Sequence, residues 1–242
     1  MFKITPLGDT GIRVQLGNTI SPGINQLIRS FSLLLEQDKH PGIIEWIPTY
    51  TSITLFYDPY VIGYEELTAY LGHIKGKLHQ ADTPAADVIH IPTCYGGKLG
   101  PDLENVARHN GLAPDEVIKI HSEPLYLIYM LGFTPGFPYL GGMSKRIATP
   151  RLDVPRSLVP AGSVGIAGEQ TGIYPMETPG GWQIIGRTPV KLYDPSREPS
   201  ILLKAGNYVK FVPISYDEYT RIEKAIEQGC YQPRITTYGR ET

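Results

Sequence analysis

The sequence has only two cysteines in 242 residues, Cys94 and Cys230, which are too far apart for a C-x-x-C pair and too few for a disulfide framework or a structural zinc site. They read as two reduced thiols. Long hydrophobic runs are also missing. The longest nearly apolar stretch is Leu125–Leu131, well short of the ~18 residues that a membrane-crossing helix needs. No cationic segment followed by an apolar run opens the chain. Neither sign of charge dominates: 22 Lys and Arg stand against 24 Asp and Glu, and the pI is near 6.3. That balance supplies no basic stripe for a phosphate backbone or an anionic lipid surface. These absences predict a cytoplasmic protein that binds neither nucleic acid nor membrane.

Several chemical signatures are absent too. Gly96-Gly97-Lys98-Leu99-Gly100 has neither the spacing nor the hydroxyl after Lys of a phosphate-binding G-x-x-x-x-G-K-[ST] loop, and no G-x-G-x-x-G opens a helix after a strand. His90 and Cys94 fall on one strand face without a third or fourth ligand, so no metal site is expected. Ser163 lies outside any G-x-S-x-G elbow, and the six histidines are scattered.

What is present is a folded chain. Hydrophobic residues make up 41% and charged residues 19%, and a chain of this length buries roughly 70 to 75% of its unfolded surface. Residues 2–16 read as two short strands with a turn at Gly8-Asp9 and one face made by Ile12, Val14 and Leu16. A helix follows, capped by Ser21 with Pro22 in its first turn, and ends at Pro41-Gly42. Strands at Ile43–Ile47 and Ser52–Tyr57 precede a second amphipathic helix carrying Leu67, Tyr70, Leu71, Ile74 and Leu78. This ββαββα pattern predicts a small α+β domain over residues 1–80.

The polar, Pro-containing stretch Gln80–Asp87 reads as a boundary, with the linker at 81–87. Beyond it the pattern predicts a strand at Val88–Pro92, helices at Asp102–His109 and from Pro114 onward, and a buried strand at Leu125–Leu131. Residues 132–188 hold 11 Gly and 7 Pro in 57 positions, a density that excludes helices but, with large apolar residues such as Phe137, Val164, Ile166, Ile173, Trp182 and Ile184, fits short strands joined by tight turns. Further strands are expected at Val190–Tyr193 and Tyr208–Val212, and a helix from Ser215 with Glu218 as a capping box, stopping at Gly229. A β-barrel or sandwich with flanking helices over residues 88–228 and a loosely held polar tail over 229–242 complete the expectation.

Three clusters in the Gly/Pro-rich segment could carry chemistry. In the first, Gly132-Phe133-Thr134-Pro135-Gly136-Phe137-Pro138-Tyr139 spends aromatic surface on a constrained loop. It reads either as the lip of an aromatic-walled pocket or as a packed barrel corner. In the second, residues 160–175, the glycines either form an anion nest or mark a strand crossed closely by another backbone. Gln170 is the residue that the second reading explains least. In the third, Pro179-Gly180-Gly181-Trp182 leads to Arg187, which with Arg151 either offers two guanidinium groups to a carboxylate or phosphate or is an ordinary surface arginine. The residues alone point to an anion-binding pocket on a β domain and to no particular reaction.

Together with Ile91-Pro92-Thr93-Cys94-Tyr95-Gly96-Gly97-Lys98-Leu99-Gly100-Pro101-Asp102-Leu103 and Glu45-Trp46-Ile47-Pro48, these clusters give the chain a family likeness. It resembles, over nearly its whole length, the family of 5-oxoprolinase B subunits, also called the sensor-kinase inhibitor KipI or allophanate hydrolase subunit 1. The resemblance implies a small α+β domain followed by a cyclophilin-like β-barrel. It also implies ATP-dependent conversion of 5-oxoproline (pyroglutamate) to glutamate, in company with the A and C subunits of 5-oxoprolinase. ATP would be bound or shared by those partners, since no phosphate loop occurs here, and no Met-Lys-Met tripeptide is present to attach biotin. The family's other name implies an alternative, inhibition of a sporulation-type sensor histidine kinase, and self-association into a homo-oligomer is a further option. In the enzyme reading Arg151 and Arg187 hold the substrate carboxylate or a phosphoryl group, and Ser163 and Gln170 bind the lactam amide. Phe133, Pro135, Gly136, Phe137, Tyr139, Tyr174, Gly180, Gly181 and Trp182 wall the pocket.

Overall fold

The computed structural model describes residues 2–78 and 85–239. The chain divides into two compact units, Met1–Ala85 and Ala86–Thr242. Most of the expected linker, residues 81–84, lies outside the described residues, and Asp87 already belongs to a strand.

The first unit runs β1 (Lys3–Leu7), β2 (Gly11–Gln15), α1 (Pro22–Asp38), β3 (Ile43–Pro48), β4 (Ser52–Tyr57) and α2 (Tyr64–Lys77). Its strands form an antiparallel sheet in the order β1-β2-β4-β3. Ile12 and Val14, two apart on β2, turn to the same face and join Ile53, Leu55, Phe31, Leu35, Leu67 and Leu71 in one core. Ser21 Oγ accepts the Ile24 N–H at 3.3 Å and so satisfies a free donor at the start of α1. The helix stops earlier than Pro41-Gly42. Lys39 takes the left-handed conformation at φ 47° and its N–H returns to the Leu35 carbonyl, closing the last turn.

The second unit begins with β5 (Asp87–Tyr95), α3 (Leu103–Asn110), α4 (Pro114–Ser122), β6 (Tyr126–Leu131) and β7 (Pro138–Gly141). After a 3-10 turn at Lys145–Ile147 come β8 (Arg156–Val159), β9 (Ser163–Ala167), β10 (Gln170–Ile173), β11 (Thr178–Gly180) and β12 (Gln183–Arg187). It finishes with β13 (Tyr208–Pro213), α5 (Tyr216–Glu227) and β14 (Ile235–Thr237). The main sheet has the order β10-β9-β12-β5-β13-β6-β7, and β10 returns beside β7, so the sheet all but closes into a barrel. Strands β8 and β11 pair as a separate ribbon.

Strand β5 is longer than the expected Val88–Pro92, although Pro92 cannot donate to a ladder. The pairing explains why it is tolerated. Strand β14 covers Asp87–Ile89 and β12 covers Cys94–Tyr95 on one side of β5, while parallel β13 runs along the other. The His90 N–H points to the β14 side, where the Arg234 carbonyl accepts it at 2.9 Å. Two residues on, Pro92 faces the same side, so its missing donor falls in the gap between the two partner strands.

Three expectations need correction. Val190–Tyr193 is not a strand: one isolated bridge, Tyr193 to Ile201, is all that forms, because the 190–201 segment folds back on itself instead of joining the sheet. The Gly/Pro-rich segment is not wholly free of helix, since the 3-10 turn at Lys145–Ile147 is capped by Ser144. The polar tail is not loose over its described part. Residues Ile235–Thr237 add a strand to β5, and Tyr238 stacks on Tyr208 at 4.3 Å.

A buried polar chain runs through the barrel core. His121 Nε2 and Thr171 Oγ1 are 2.8 Å apart, and Thr171 Oγ1 donates to the Gly165 carbonyl at 2.9 Å. The hydroxyl proton being committed, Nε2 must be the donor, which leaves Nδ1 to accept the Tyr95 hydroxyl at 2.8 Å. Burial holds the imidazole neutral, with its pKa pushed down to about 3.

Candidate functional site

The 132–137 loop joins β6 to β7 through tight turns: Gly132 N–H donates to the Phe137 carbonyl at 3.1 Å, and Phe137 N–H to the Thr134 carbonyl at 3.1 Å. At its tip Phe133 has φ 69°, the left-handed region that favours glycine, and its side chain is 70% exposed. Strain and exposure at Phe133 offset much of what its ring gains by touching Phe137.

Below it Phe137, 4% exposed, is the hub of an aromatic cluster. Its ring meets Phe133 at 5.7 Å, Tyr139 at 5.5 Å, Tyr174 at 5.8 Å and Trp182 at 5.7 Å, all edge to face. Such pairs add about 0.5–1.5 kcal/mol each beyond area burial. The glycines nearby are small because the rings occupy the space: a Cβ on Gly172 would stand 3.1 Å from Trp182, and one on Gly180 2.5 Å from the Tyr174 hydroxyl. The hydroxyls of Thr134 and Thr178 are buried with no hydrogen-bond partner among the described residues.

Charge reaches the cluster through the 150–156 segment. The Leu152 N–H docks on the Gly181 carbonyl at 2.7 Å, and Arg156 Nη1 donates to the Trp182 carbonyl at 3.2 Å. Burial pushes the Tyr174 hydroxyl pKa up, while a hydrogen bond from the Trp182 backbone and the charges of Arg151 and Arg156 pull against it. Arg151 is exposed, whereas Arg156 is held by Asp102, whose Oδ1 lies 2.7 Å from Nη2. The other Asp102 oxygen accepts the Ile184 N–H at 2.6 Å. Asp102 stands at the N-terminus of α3 but makes no capping bond there. Sequence reading places it at that helix start, and nothing local reveals its partners 54 and 82 positions away.

The residues expected from sequence are therefore distributed as follows. Phe133, Phe137, Tyr139, Tyr174 and Trp182 come together, with Gly180 and Gly181 against Tyr174 and Leu152. Pro135 is exposed in the same loop, and Gly136, at φ 80°, packs against the backbone of Leu192. Arg151 and Arg156 both act electrostatically on Tyr174. Arg187 instead pairs in register with Cys94 and Ser163, donates Nε to the Ala161 carbonyl at 2.8 Å and acts electrostatically on Tyr219 of α5. Ser163 is buried, and Gln170 is exposed at the opposite end of the β9–β10 hairpin. Four residues of strand separate the two ends, about 13 Å at ~3.3 Å per residue, so the hairpin does not present both side chains to one amide. Cys94 is buried with its thiol pKa raised by desolvation, an unreactive setting, and no cluster of metal-ligating side chains occurs among the described residues.

Comparison with known proteins gives this arrangement a family. The family described as carboxyltransferase domain, subdomain C and D, matches residues 2–203. The chain is 47% identical over 229 residues to the 5-oxoprolinase B subunit of Bacillus subtilis, covering 90% of this chain and 95% of that one. To the 5-oxoprolinase B subunit of Escherichia coli O157:H7 it is 45% identical over 208 residues, covering 86% and 94%. Among solved structures, TTHA0988 matches with a TM-score of 0.75 at 36% identity, over 85% of this chain and 40% of that one. No helix among the described residues is long and apolar enough to cross a membrane. With the α+β unit, the nearly closed barrel and identity of this extent, the chain belongs to the carboxyltransferase subdomain C and D family and, within it, to the family of 5-oxoprolinase B subunits.

Proposed function

We propose that the chain is the B subunit of an ATP-dependent 5-oxoprolinase, opening 5-oxoproline to glutamate together with the A and C subunits. The observation that carries this reading is the 47% identity that runs through 95% of the Bacillus subtilis B subunit. The chemistry explains the use of ATP, because an unstrained five-membered lactam is a poor electrophile. Transfer of the γ-phosphoryl group to the lactam oxygen, with ADP leaving, activates the carbonyl carbon. One water then adds there, the ring C–N bond breaks with a proton passing to nitrogen, and a second water releases phosphate from the resulting acyl phosphate.

In this scheme the exposed Arg151, whose charge is felt at Tyr174, supplies a bidentate grip for a carboxylate or phosphoryl oxygen. The Phe137 cluster gives an apolar wall that keeps bulk water from the activated lactam. Phe133, exposed at the loop tip, is placed to pack on substrate or on a partner subunit. The test is glutamate formation from 5-oxoproline by the purified chain, alone and mixed with candidate A and C subunits, with and without ATP. Turnover only in the full mixture with ATP is the expected result. Robust turnover by this chain alone, or none in the reconstituted complex, would overturn it.

A further inference from the structure

The gap that Pro92 leaves in the strand pairing of β5 opens into a cavity of about 480 Å³ between β5, β13, α5 and the segment leading into β14. This volume is in the range of small-molecule pockets, roughly 300–1,000 Å³. The cavity shares no lining residue with the aromatic cluster. Its floor is apolar: Val212 and Ile214 are half-buried and Ile222 of α5 closes the bottom. Its rim is polar and carries more positive than negative charge. Arg221 and Arg234, both exposed, share the wall with Glu218, its one carboxylate, and Glu218 reaches Arg221 at 3.5 Å. Arg234 makes no ion pair among the described residues. His90, on the same wall, keeps Nε2 at 3.1 Å from Thr236 Oγ1. Its pKa is lowered first by burial and then by the charges of Arg234 and Lys210, the two cations that act on this wall.

We propose that this notch is a binding site for a small carboxylate with an apolar body. Arg234 and Arg221 take the carboxylate, and Val212, Ile214 and Ile222 take the ring or chain behind it. Arginine suits this task, because its planar fork pairs with both carboxylate oxygens at once. A bare inorganic anion would leave the apolar floor unfilled, and an uncharged ring would leave Arg234 unpaired, so neither matches both halves of the site.

Calorimetric titration of the full chain with benzoate, alongside its uncharged isostere benzamide and inorganic phosphate, tests the assignment. Benzoate is expected to bind at one saturable site, with benzamide and phosphate each weaker by about tenfold or more, the usual worth of a charge-assisted contact or a buried apolar ring. Arg234→Gln should weaken benzoate by about tenfold or more while Arg234→Lys recovers part of the loss. Arg221→Gln is the second variant, and thermal melts confirm that each variant is folded. The proposal is overturned if benzoate shows no saturable binding at millimolar concentrations, if benzamide binds as well as benzoate, or if folded Arg234→Gln and Arg221→Gln both bind benzoate like the parent chain. This outcome is independent of 5-oxoproline turnover, because the readout is binding to the isolated chain.

Discussion

Asp102 and Arg156 meet at 2.7 Å across 54 positions of sequence, and the second Asp102 oxygen holds the Ile184 N–H at 2.6 Å. One carboxylate thus ties the start of α3 to β12 and to β8, while Arg156 continues the link to the Trp182 carbonyl beneath the aromatic cluster. The Asp102 side chain is 11% exposed and that of Arg156 31%, so water screens the pair only in part.

Asp102→Ala strands a guanidinium and a buried backbone donor at once. Breaking a buried pair costs about 3–5 kcal/mol, and the partial exposure of Arg156 puts the expected loss near the lower end. Arg156→Met should cost less, since the carboxylate keeps its Ile184 bond. Urea unfolding of both single variants and the double variant measures the coupling. A double variant whose loss equals the sum of the singles would show that the two groups do not interact.

His121 gives the protein a pH dependence whose sign is fixed by its depressed pKa. Above about 6.5, the ordinary histidine value, the imidazole is neutral both folded and unfolded and contributes no slope. Below it the unfolded chain gains a proton that the folded ring, with a pKa of about 3, refuses. Stability therefore falls as pH drops from about 6.5 toward 3, by up to ~1.4 kcal/mol per pH unit from this group. Unfolding free energies measured across that range should show a slope smaller by one proton in His121→Leu, whatever the absolute stability of the variant. Equal slopes in the two proteins would mean that His121 is protonated when folded.

Much of this architecture is legible in the sequence, and the reasons are local. The alternation Ile12, Val14, Leu16 and the Ser21-Pro22 start need only neighbouring residues, and the strands and the helix follow them. The burial of His121 is not legible, because the sequence shows only one of six scattered histidines and its partners Tyr95 and Thr171 lie 26 and 50 positions away. The Asp102 partners are not, since an Asp before a helix reads as a cap and its bonds come from Arg156 and Ile184. Arg151 and Arg187 pair naturally on chemistry alone, yet their neighbours depend on how β12 and the 150–156 loop lie in the barrel, which no spacing encodes. The tail reads as free because Ile235–Thr237 is short and polar-flanked, and only the uncovered edge of β5 makes it a strand.

Phe133 and Phe137 separate function from stability within one loop. Phe137→Ala empties the centre of the aromatic cluster and should cost about 3–5 kcal/mol. Phe133→Gly removes an exposed ring and relieves a left-handed φ of 69°, so the melting temperature should hold or rise slightly. If Phe133 packs on substrate or a partner, Phe133→Gly should nonetheless lower turnover in the reconstituted complex. Thermal melts together with steady-state kinetics decide. Unchanged kinetics would leave the exposed ring without a role in the reaction.

Arg151 carries the sharpest test of the proposed site. It is exposed, acts electrostatically on Tyr174 and makes no ion pair among the described residues, so Arg151→Lys should leave the fold intact while replacing a planar fork by a point charge. Losing a charge-assisted contact of about 1.5–3 kcal/mol lowers kcat/KM by roughly 10- to 150-fold. Arg187→Lys is the comparison. Its guanidinium Nε holds the Ala161 carbonyl, so this variant should lower the melting temperature, and activity should change mainly through that loss. Lys98, exposed in the turn after β5, serves as the neutral control. Kinetics of the reconstituted complex paired with melts of the chain distinguish the three. A normal kcat/KM for Arg151→Lys would remove Arg151 from the substrate site, and an activity loss in Arg187→Lys without a change in melting would put Arg187 there in its place.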